Sequence, residues 1–126
     1  MRGSKTLIAA AVGVVLLVGA APASAKKGAA YKHFVACGLT QNAKPSHSCP
    51  KSSKKGAFFR SNNADVFYTV CVKFPSKNKP LCAQSQKAEK GTLYVNKITS
   101  NSPGEHEVTW FVEGKQVGSF TFMVKS

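Results

Sequence analysis

Two stretches near the C-terminus alternate apolar and polar residues with the two-residue period of a β-strand. In 104–113 the apolar positions are Val108, Trp110 and Val112. In 119–124 they are Phe120, Phe122 and Val124. Because successive side chains of a strand point to opposite faces, each stretch predicts a strand with one buried face. Residues 113–115, Glu-Gly-Lys, predict a tight turn between them, since glycine readily adopts positive φ. We therefore expect a hairpin with the single tryptophan at the centre of the core.

The same period predicts further strands upstream. The clearest is 65–74, whose inward positions are Val66, Tyr68, Val70, Val72 and Phe74. Shorter strands are predicted at 31–39, 57–60, 81–86 and 92–99. Residues 40–56 are polar, contain two prolines and are read as a loop. Turn residues recur about every 8–12 positions, which is typical of a sandwich or barrel. The sequence predicts an all-β protein of about seven strands without helices.

The first 25 residues have the pattern of a secretory signal peptide. Arg2 and Lys5 precede an apolar run over 6–20, and 23–25 is the small-residue sequence Ala-Ser-Ala. The run is about 15 residues, shorter than the ~20 that a membrane-spanning helix needs. We expect cleavage after Ala25 and a secreted protein without integral membrane association. A flexible leader (26–30) would then precede one domain (31–126).

The remaining chain is strongly basic. Export removes two of the 18 basic residues, which leaves 16 against 5 acidic residues. All but Arg60 are lysines. Lysine is a hydrated point charge without the bidentate geometry used for specific phosphate or base recognition. The charge therefore indicates either attraction to anionic polymers or surfaces, or solubility alone, and it does not predict a specific nucleic-acid partner.

Four cysteines lie in the exported part: Cys37, Cys49, Cys71 and Cys82. An even number in a small exported domain predicts two disulfides, with three possible pairings. We favour Cys37–Cys49 and Cys71–Cys82. A hairpin around 75–78 places residue 71 opposite 82, where the two thiols can bridge. Zinc is disfavoured because the intervening gaps of 11, 21 and 10 residues lack the short paired spacing of zinc sites.

The C-terminal stretch EVTWFVEGKQVGSFTFMV resembles the last hairpin of immunoglobulin-like and fibronectin-type-III-like domains of secreted bacterial proteins. The resemblance is close over the 21 residues of the hairpin 104–124 and otherwise rests on strand number. It departs from antibody domains, because Trp110 follows all four cysteines and no tyrosine corner is evident. The resemblance implies an immunoglobulin-like β-sandwich, a fold that does not determine function.

In such a sandwich, loop 40–56 and turns 75–80 and 100–104 are expected to share one end. This end would be basic. The residues of this end that are expected to bind an anionic partner are Lys44, Lys51, Lys54, Lys55, Lys73, Lys77 and Lys79. The opposite end has lysines mixed with Glu89 and Glu113. Loops also carry lysine simply because they lie on the surface, and both interpretations remain open.

No sequence motif for a cofactor, metal or catalytic group is evident. The segment 105–107, Glu-His-Glu, cannot converge on one metal, because His106 points away from both carboxylates on a regular strand. We expect these three to be exposed polar residues. His33 is expected to be a packing or surface residue, and His47, between Ser46 and Ser48, lacks an orienting group. No catalytic residue is predicted.

A second candidate surface is aromatic. If Phe67, Tyr94 and Phe111 are exposed on one sheet, they would form a patch suited to a partner. The sequence thus predicts a secreted, non-catalytic binding module that uses either this sheet face or the lysine-rich end. The partner would be an anionic cell-wall or other extracellular polymer, or another protein. The alternatives are a small basic hydrolase such as a nuclease and a cationic membrane-active protein. Oligomeric state is not predicted.

Overall fold

A computed structural model describes residues 29–126, which form β-strands joined by turns and loops. The predicted signal peptide and residues 26–28 of the predicted leader lie outside the described residues. The strands are β1 (Tyr31–Ala36), β2 (Ser48–Pro50), β3 (Lys55–Ser61), β4 (Val66–Lys73), β5 (Leu81–Cys82), β6 (Gln86–Ala88), β7 (Leu93–Ile98), β8 (Gly104–Val112) and β9 (Lys115–Lys125). In this part of the chain, no helix is long and apolar enough to cross a membrane.

The strands form two sheets. One has the order β1-β3-β7, and the other has the order β2-β9-β8-β4-β5, with β6 also paired to β4. If the short β2 is set aside and β5 and β6 are counted as one edge strand, the first, second and fifth strands in chain order are β1, β3 and β7. These three share one sheet. The third, sixth and seventh share the other. This is the division of strands A, B, E and C, F, G in immunoglobulin-like sandwiches, which confirms the predicted fold class.

The core fills the space between the sheets. Trp110 and Val108 of β8 are fully buried, and Phe59 of β3 stacks on Tyr68 of β4 with ring centroids 4.3 Å apart. Of the residues expected to face inward, those that the structure buries are Tyr68, Val70, Val72, Val108, Trp110, Val112, Phe122 and Val124. Val66 and Phe120 are half-buried and pack against the same cluster. The two-residue period thus translates directly into one buried sheet face.

The C-terminal hairpin turns at Glu113 and Gly114, which lie between the paired residues Val112 and Lys115. Their φ angles are 52° and 83°. Positive φ at both central residues defines a type I′ turn, whose twist matches that of the flanking strands. The register shifts between Trp110 and Phe111, which marks a β-bulge.

Both predicted disulfides are confirmed. Cys71 and Cys82 are direct partners in the β4–β5 register, with Cα atoms 4.0 Å apart. Cys37–Cys49 has a Cα separation of 5.5 Å. It ties the segment after β1 to β2, and therefore joins the two sheets.

The segment 40–56 is more ordered than its polar composition predicts. Ala43 packs on Phe34 and Phe58, which cover the outer face of the three-stranded sheet. The chain then crosses to the other sheet, where β2 pairs in parallel with the end of β9. The last two residues of the predicted loop begin β3. The sequence did not predict β2, because a strand of three residues among lysines and serines is too short to show a two-residue period. Its pairing is set by a partner about 75 residues away in sequence.

Candidate anion-binding end

Three turns meet at one end of the sandwich. A Cβ atom on Gly104 would lie 3.0 Å from Pro75, so the turn after β4 packs against the start of β8. Asn101, with its side-chain amide oriented to satisfy its neighbours, donates to the carbonyl of Lys51 at 3.0 Å. Turn 51–54, turn 74–80 and turn 99–103 therefore form one continuous surface.

Six exposed lysines project from this surface, and we call them the lysine end. Two lie in the β2–β3 turn, one ends β4, two lie in the β4–β5 turn and one ends β9. They are Lys51, Lys54, Lys73, Lys77, Lys79 and Lys125. Five of the six were candidates from sequence. Lys125 was not, because its place beside the loop depends on the parallel pairing of Pro50 with Lys125.

Lys51 and Lys125 border an open depression. Its other lining residues are Pro50, Ser52, Asn101 and Ser126. Serine hydroxyls and lysine ammonium groups are donors that suit an anionic oxygen. The β2–β9 pairing and the Asn101 hydrogen bond to the Lys51 carbonyl both hold the wall of this depression in place.

Lys55 does not belong to the candidate site. It is only 1% exposed, and its ammonium group donates to the carbonyls of Ser53 (2.8 Å) and Lys51 (3.2 Å). Burial lowers the pKa of Lys55 by desolvation. The sequence prediction was wrong here because residue 55 begins β3, where its side chain turns inward and holds the 51–54 turn closed. Its role is to support the turn that carries Lys51 and Lys54.

Lys44 is exposed but lies apart from the lysine end. Its neighbours Ala43 and Pro45 are held along β1, by packing on Phe34 and by a bridge to Ala36. The loop that carries Lys44 therefore runs beside the three-stranded sheet and does not project from the end of the sandwich.

Acidic residues border the lysine end on the outer face of the six-stranded sheet. Glu105 and Glu107 line a shallow pocket with Lys73 and Thr121, and Lys73 is paired with Glu107 in the β4–β8 register. The charge of Lys73 is therefore partly offset, whereas the lysines of the two turns do not line this pocket. Within residues 29–126, no group of three His, Cys, Asp or Glu residues is arranged to hold a metal ion.

His106 is buried, contrary to the expectation that it is an exposed polar residue. It is 0% exposed and stacks on Phe122, with ring centroids 4.9 Å apart. Its Nδ1 lies 3.1 Å from the carbonyl of Gly104, and its Nε2 lies 2.7 Å from the hydroxyl of Ser100. Desolvation lowers its pKa; the hydrogen bond to Gly104 raises it and nearby Lys55 lowers it further. The two-residue period of β8 places residue 106 on the inward face, and this could have predicted a buried histidine. The prediction failed because the glutamates on either side of His106 are exposed, and all three residues were expected to be exposed together.

The other two histidines are also held by structural contacts. His33 packs on Trp110 at 5.1 Å between ring centroids, where a Cβ atom on Gly118 would overlap its ring. Burial lowers the pKa of His33. His47 is exposed, donates from Nδ1 to the carbonyl of Thr121 at 2.6 Å and stacks on Phe120. The Ser46 hydroxyl donates to a backbone carbonyl, so these neighbours do not form a serine–histidine pair.

The proposed aromatic face does not form. Phe67 and Phe111 lie on β4 and β8, whereas Tyr94 lies on β7 in the other sheet and packs into the core. Phe67 is 53% exposed, but Phe111 is half-buried. The prediction failed because strand order cannot be read from alternation within single strands. Of the two candidate surfaces, the lysine end remains.

No family model matches the chain, and no curated protein matches it. Among solved structures, the chain is similar to an immunoglobulin-like protein from Pseudomonas aeruginosa, with 14% identity and a TM-score of 0.48, over 75% of this chain and 91% of that one. It is also similar to part of the Pseudomonas fluorescens alkylpurine DNA glycosylase AlkC bound to DNA containing an abasic site analog. That match has 16% identity and a TM-score of 0.42, and covers 79% of this chain and 32% of that one.

The strand order of the two sheets makes the protein an immunoglobulin-like β-sandwich, and it contains two disulfides. Disulfides of this kind are typical of an oxidising compartment outside the cytosol.

Proposed function

We propose that the protein is a secreted, non-catalytic module that binds an extracellular anionic polymer through the lysine end. The observation that carries the proposal is the convergence of six exposed lysines on one end of a rigid sandwich. Clustered ammonium groups raise the local concentration of anions well beyond what the same charges would do if dispersed.

The chemistry of the surface favours a repetitive polyanion over a compact ligand. Lysines on flexible four-carbon stems accept many arrangements of anionic groups, whereas a single phosphate or carboxylate is better recognised by arginine. At physiological ionic strength the screening length is about 8 Å, so only anionic groups close to the surface are attracted strongly. A chain of such groups can contact the Lys51–Lys125 depression and the β4–β5 turn together, and its binding should fall steeply with salt.

A non-catalytic role is supported by the state of the candidate catalytic groups. His106 and Ser100 are both buried, and each is engaged in hydrogen bonds within the core. His47 is held by a backbone carbonyl. These contacts give each group a structural role that requires no substrate.

The test compares two variants with the same net charge. The first replaces Lys51, Lys54, Lys77 and Lys79 with glutamine. The second replaces Lys32, Lys87, Lys90 and Lys115 with glutamine; these lysines are also exposed but lie elsewhere. The mature, disulfide-bonded protein is applied to heparin, insoluble cell wall, anionic vesicles and single-stranded RNA, and is eluted with increasing salt while RNA integrity is followed.

We expect the first variant to elute from its polymer at clearly lower salt than the second. Equal elution of the two variants would contradict the proposal, since net charge alone would then explain retention. Retention on vesicles alone would indicate a membrane-active protein, and cleavage of the RNA would indicate a nuclease. Either result would overturn the proposed function.

A further inference from the structure

One side of the sandwich is open between β5 and β7. β7 is an edge strand of the three-stranded sheet, and the short strand β5 ends the facing sheet. The gap between them is a groove lined by apolar side chains, among them Val72, Phe74, Leu81 and Ile98. Val72 and Ile98 are largely buried, but Leu81 is 65% exposed, the highest value among the exposed large hydrophobic residues.

The groove continues into a second depression at the β4–β5 turn. Leu81 lines both, and the second is also lined by Lys77 and Lys79. Lys97 of β7 lines the groove itself. Among the described residues that line the two depressions, none is Asp or Glu. The apolar groove is therefore bordered by positive charge, from Lys97 on the edge of β7 and from Lys77 and Lys79 at the end of the groove.

We propose that this groove binds an extended acidic peptide segment as an added strand on the edge of β7. An edge strand presents unpaired backbone donors and acceptors, and β-strand addition is a common mode of peptide recognition. The six residues of β7 span about 20 Å, which matches a peptide of six or seven residues.

The faces of β7 specify the chemistry of the peptide. Ile98 faces inward and Lys97, its neighbour, faces outward. In an added strand, alternate side chains would enter the groove beside Leu81, Val72 and Ile98, and the others would lie on the outer face beside Lys97. The first set must be apolar, and in the second set the position beside Lys97 suits an acidic residue, whereas Leu93 and Val95 on the same face of β7 are apolar. A second copy of this basic chain is a poor occupant, since its own charge opposes it.

The test uses an acetylated and amidated heptapeptide that alternates valine with glutamate, added to ¹⁵N-labelled mature protein. We expect chemical-shift changes concentrated in the amides of β7 and of residues 81 and 82. The same peptide with lysine in place of glutamate should cause none. Heptaglutamate, which offers charge without apolar side chains, should leave the β7 amides unchanged.

Two matched variants locate the contact. Leu81→Asp should weaken binding of the heptapeptide at least tenfold, because it places an anion in the groove. Met123→Asp makes the same change at another exposed hydrophobic residue, on β9, and should leave binding unaltered. Unchanged β7 amides at millimolar peptide, equal losses in the two variants, or β7 shifts that depend on protein concentration alone would each overturn the proposal. Retention on polymers, measured separately, does not depend on this result.

Discussion

The hydroxyl of Ser100 lies 2.7 Å from Nε2 of His106, and both side chains are buried beneath the lysine end. The carbonyl of Gly104 can only accept a hydrogen bond, so Nδ1 of His106 carries the proton and Nε2 accepts from Ser100. This pair anchors the turn between β7 and β8. Since the next residue, Asn101, contacts the carbonyl of Lys51, the geometry of the lysine end depends on a buried polar pair.

Replacing Ser100 with alanine should lower the free energy of unfolding by about 1–3 kcal/mol, because Nε2 of His106 would be left buried without a partner. Urea unfolding of the mature protein measures this. Ser102→Ala is the matched control: Ser102 is exposed, and it contributes to this cluster through its backbone N–H, which alanine retains. A similar loss in both variants would show that the Ser100–His106 hydrogen bond adds little.

Stability should fall in mild acid. The pKa values of His106 and His33 are lowered by burial, while in the unfolded chain histidine titrates near 6.5. The unfolded state therefore binds protons more readily below that pH. The contribution of each neutral histidine is complete above about pH 6.5 and is lost as the pH falls toward its folded pKa. Each histidine can add a slope of up to ~1.4 kcal/mol per pH unit in that interval.

Urea unfolding at several pH values between 7 and 4.5 measures the slope. His106→Gln should reduce the slope, whatever it does to stability at neutral pH, and the double variant with His33→Gln should reduce it further. If the double variant keeps the full slope of the wild type, carboxylates must account for the acid sensitivity.

The alternation of apolar residues predicts the principal strands well because burial of one sheet face is a local constraint. Val108, Trp110 and Val112 could be placed inward from three alternate positions alone. The Cys71–Cys82 pairing was equally accessible, since a short turn fixes the register of a hairpin. By contrast, β2 and the placement of Tyr94 depend on strands distant in sequence, and no local pattern encodes them.

The candidate site shows the same division. Residues in turns, such as Lys51 and Lys77, are exposed wherever the turn lies, so their availability could be predicted from composition. Lys55 and His106 could not be assigned correctly, because a polar side chain enters the core only when specific carbonyl or hydroxyl partners surround it. Those partners, Ser53 and Ser100, are supplied by turns whose conformation the sequence pattern leaves open.

The turn of the C-terminal hairpin has an unfavourable backbone conformation at Glu113, and a substitution can relieve it. Glu113 has a φ of 52°, which is unfavourable for most residues that carry a Cβ atom, whereas asparagine tolerates this region better. Glu113→Asn should therefore raise the free energy of unfolding by about 0.5–1 kcal/mol, and Gly114→Ala should lower it by about 1–2 kcal/mol. Thermal and urea unfolding would show the opposite signs. If both substitutions destabilise, the weak contact of the Glu113 carboxylate with the Phe67 N–H (3.5 Å) matters more than the backbone conformation.

The two disulfides should differ in their susceptibility to reduction, although they close loops of nearly equal length, with sequence separations of 12 and 11. Cys82 is exposed on an edge strand, whereas Cys49 is fully buried. Because thiol–disulfide exchange requires a thiolate to reach a sulfur atom, dithiothreitol under native conditions should reduce Cys71–Cys82 first. Alkylation at successive times, followed by peptide mass spectrometry, identifies the cysteines that have become free. Simultaneous release of all four cysteines would mean that global unfolding precedes reduction. Early release of Cys37 and Cys49 would mean that the segment from β1 to β2 opens more readily than its packing on Phe34 and its pairing with β9 indicate.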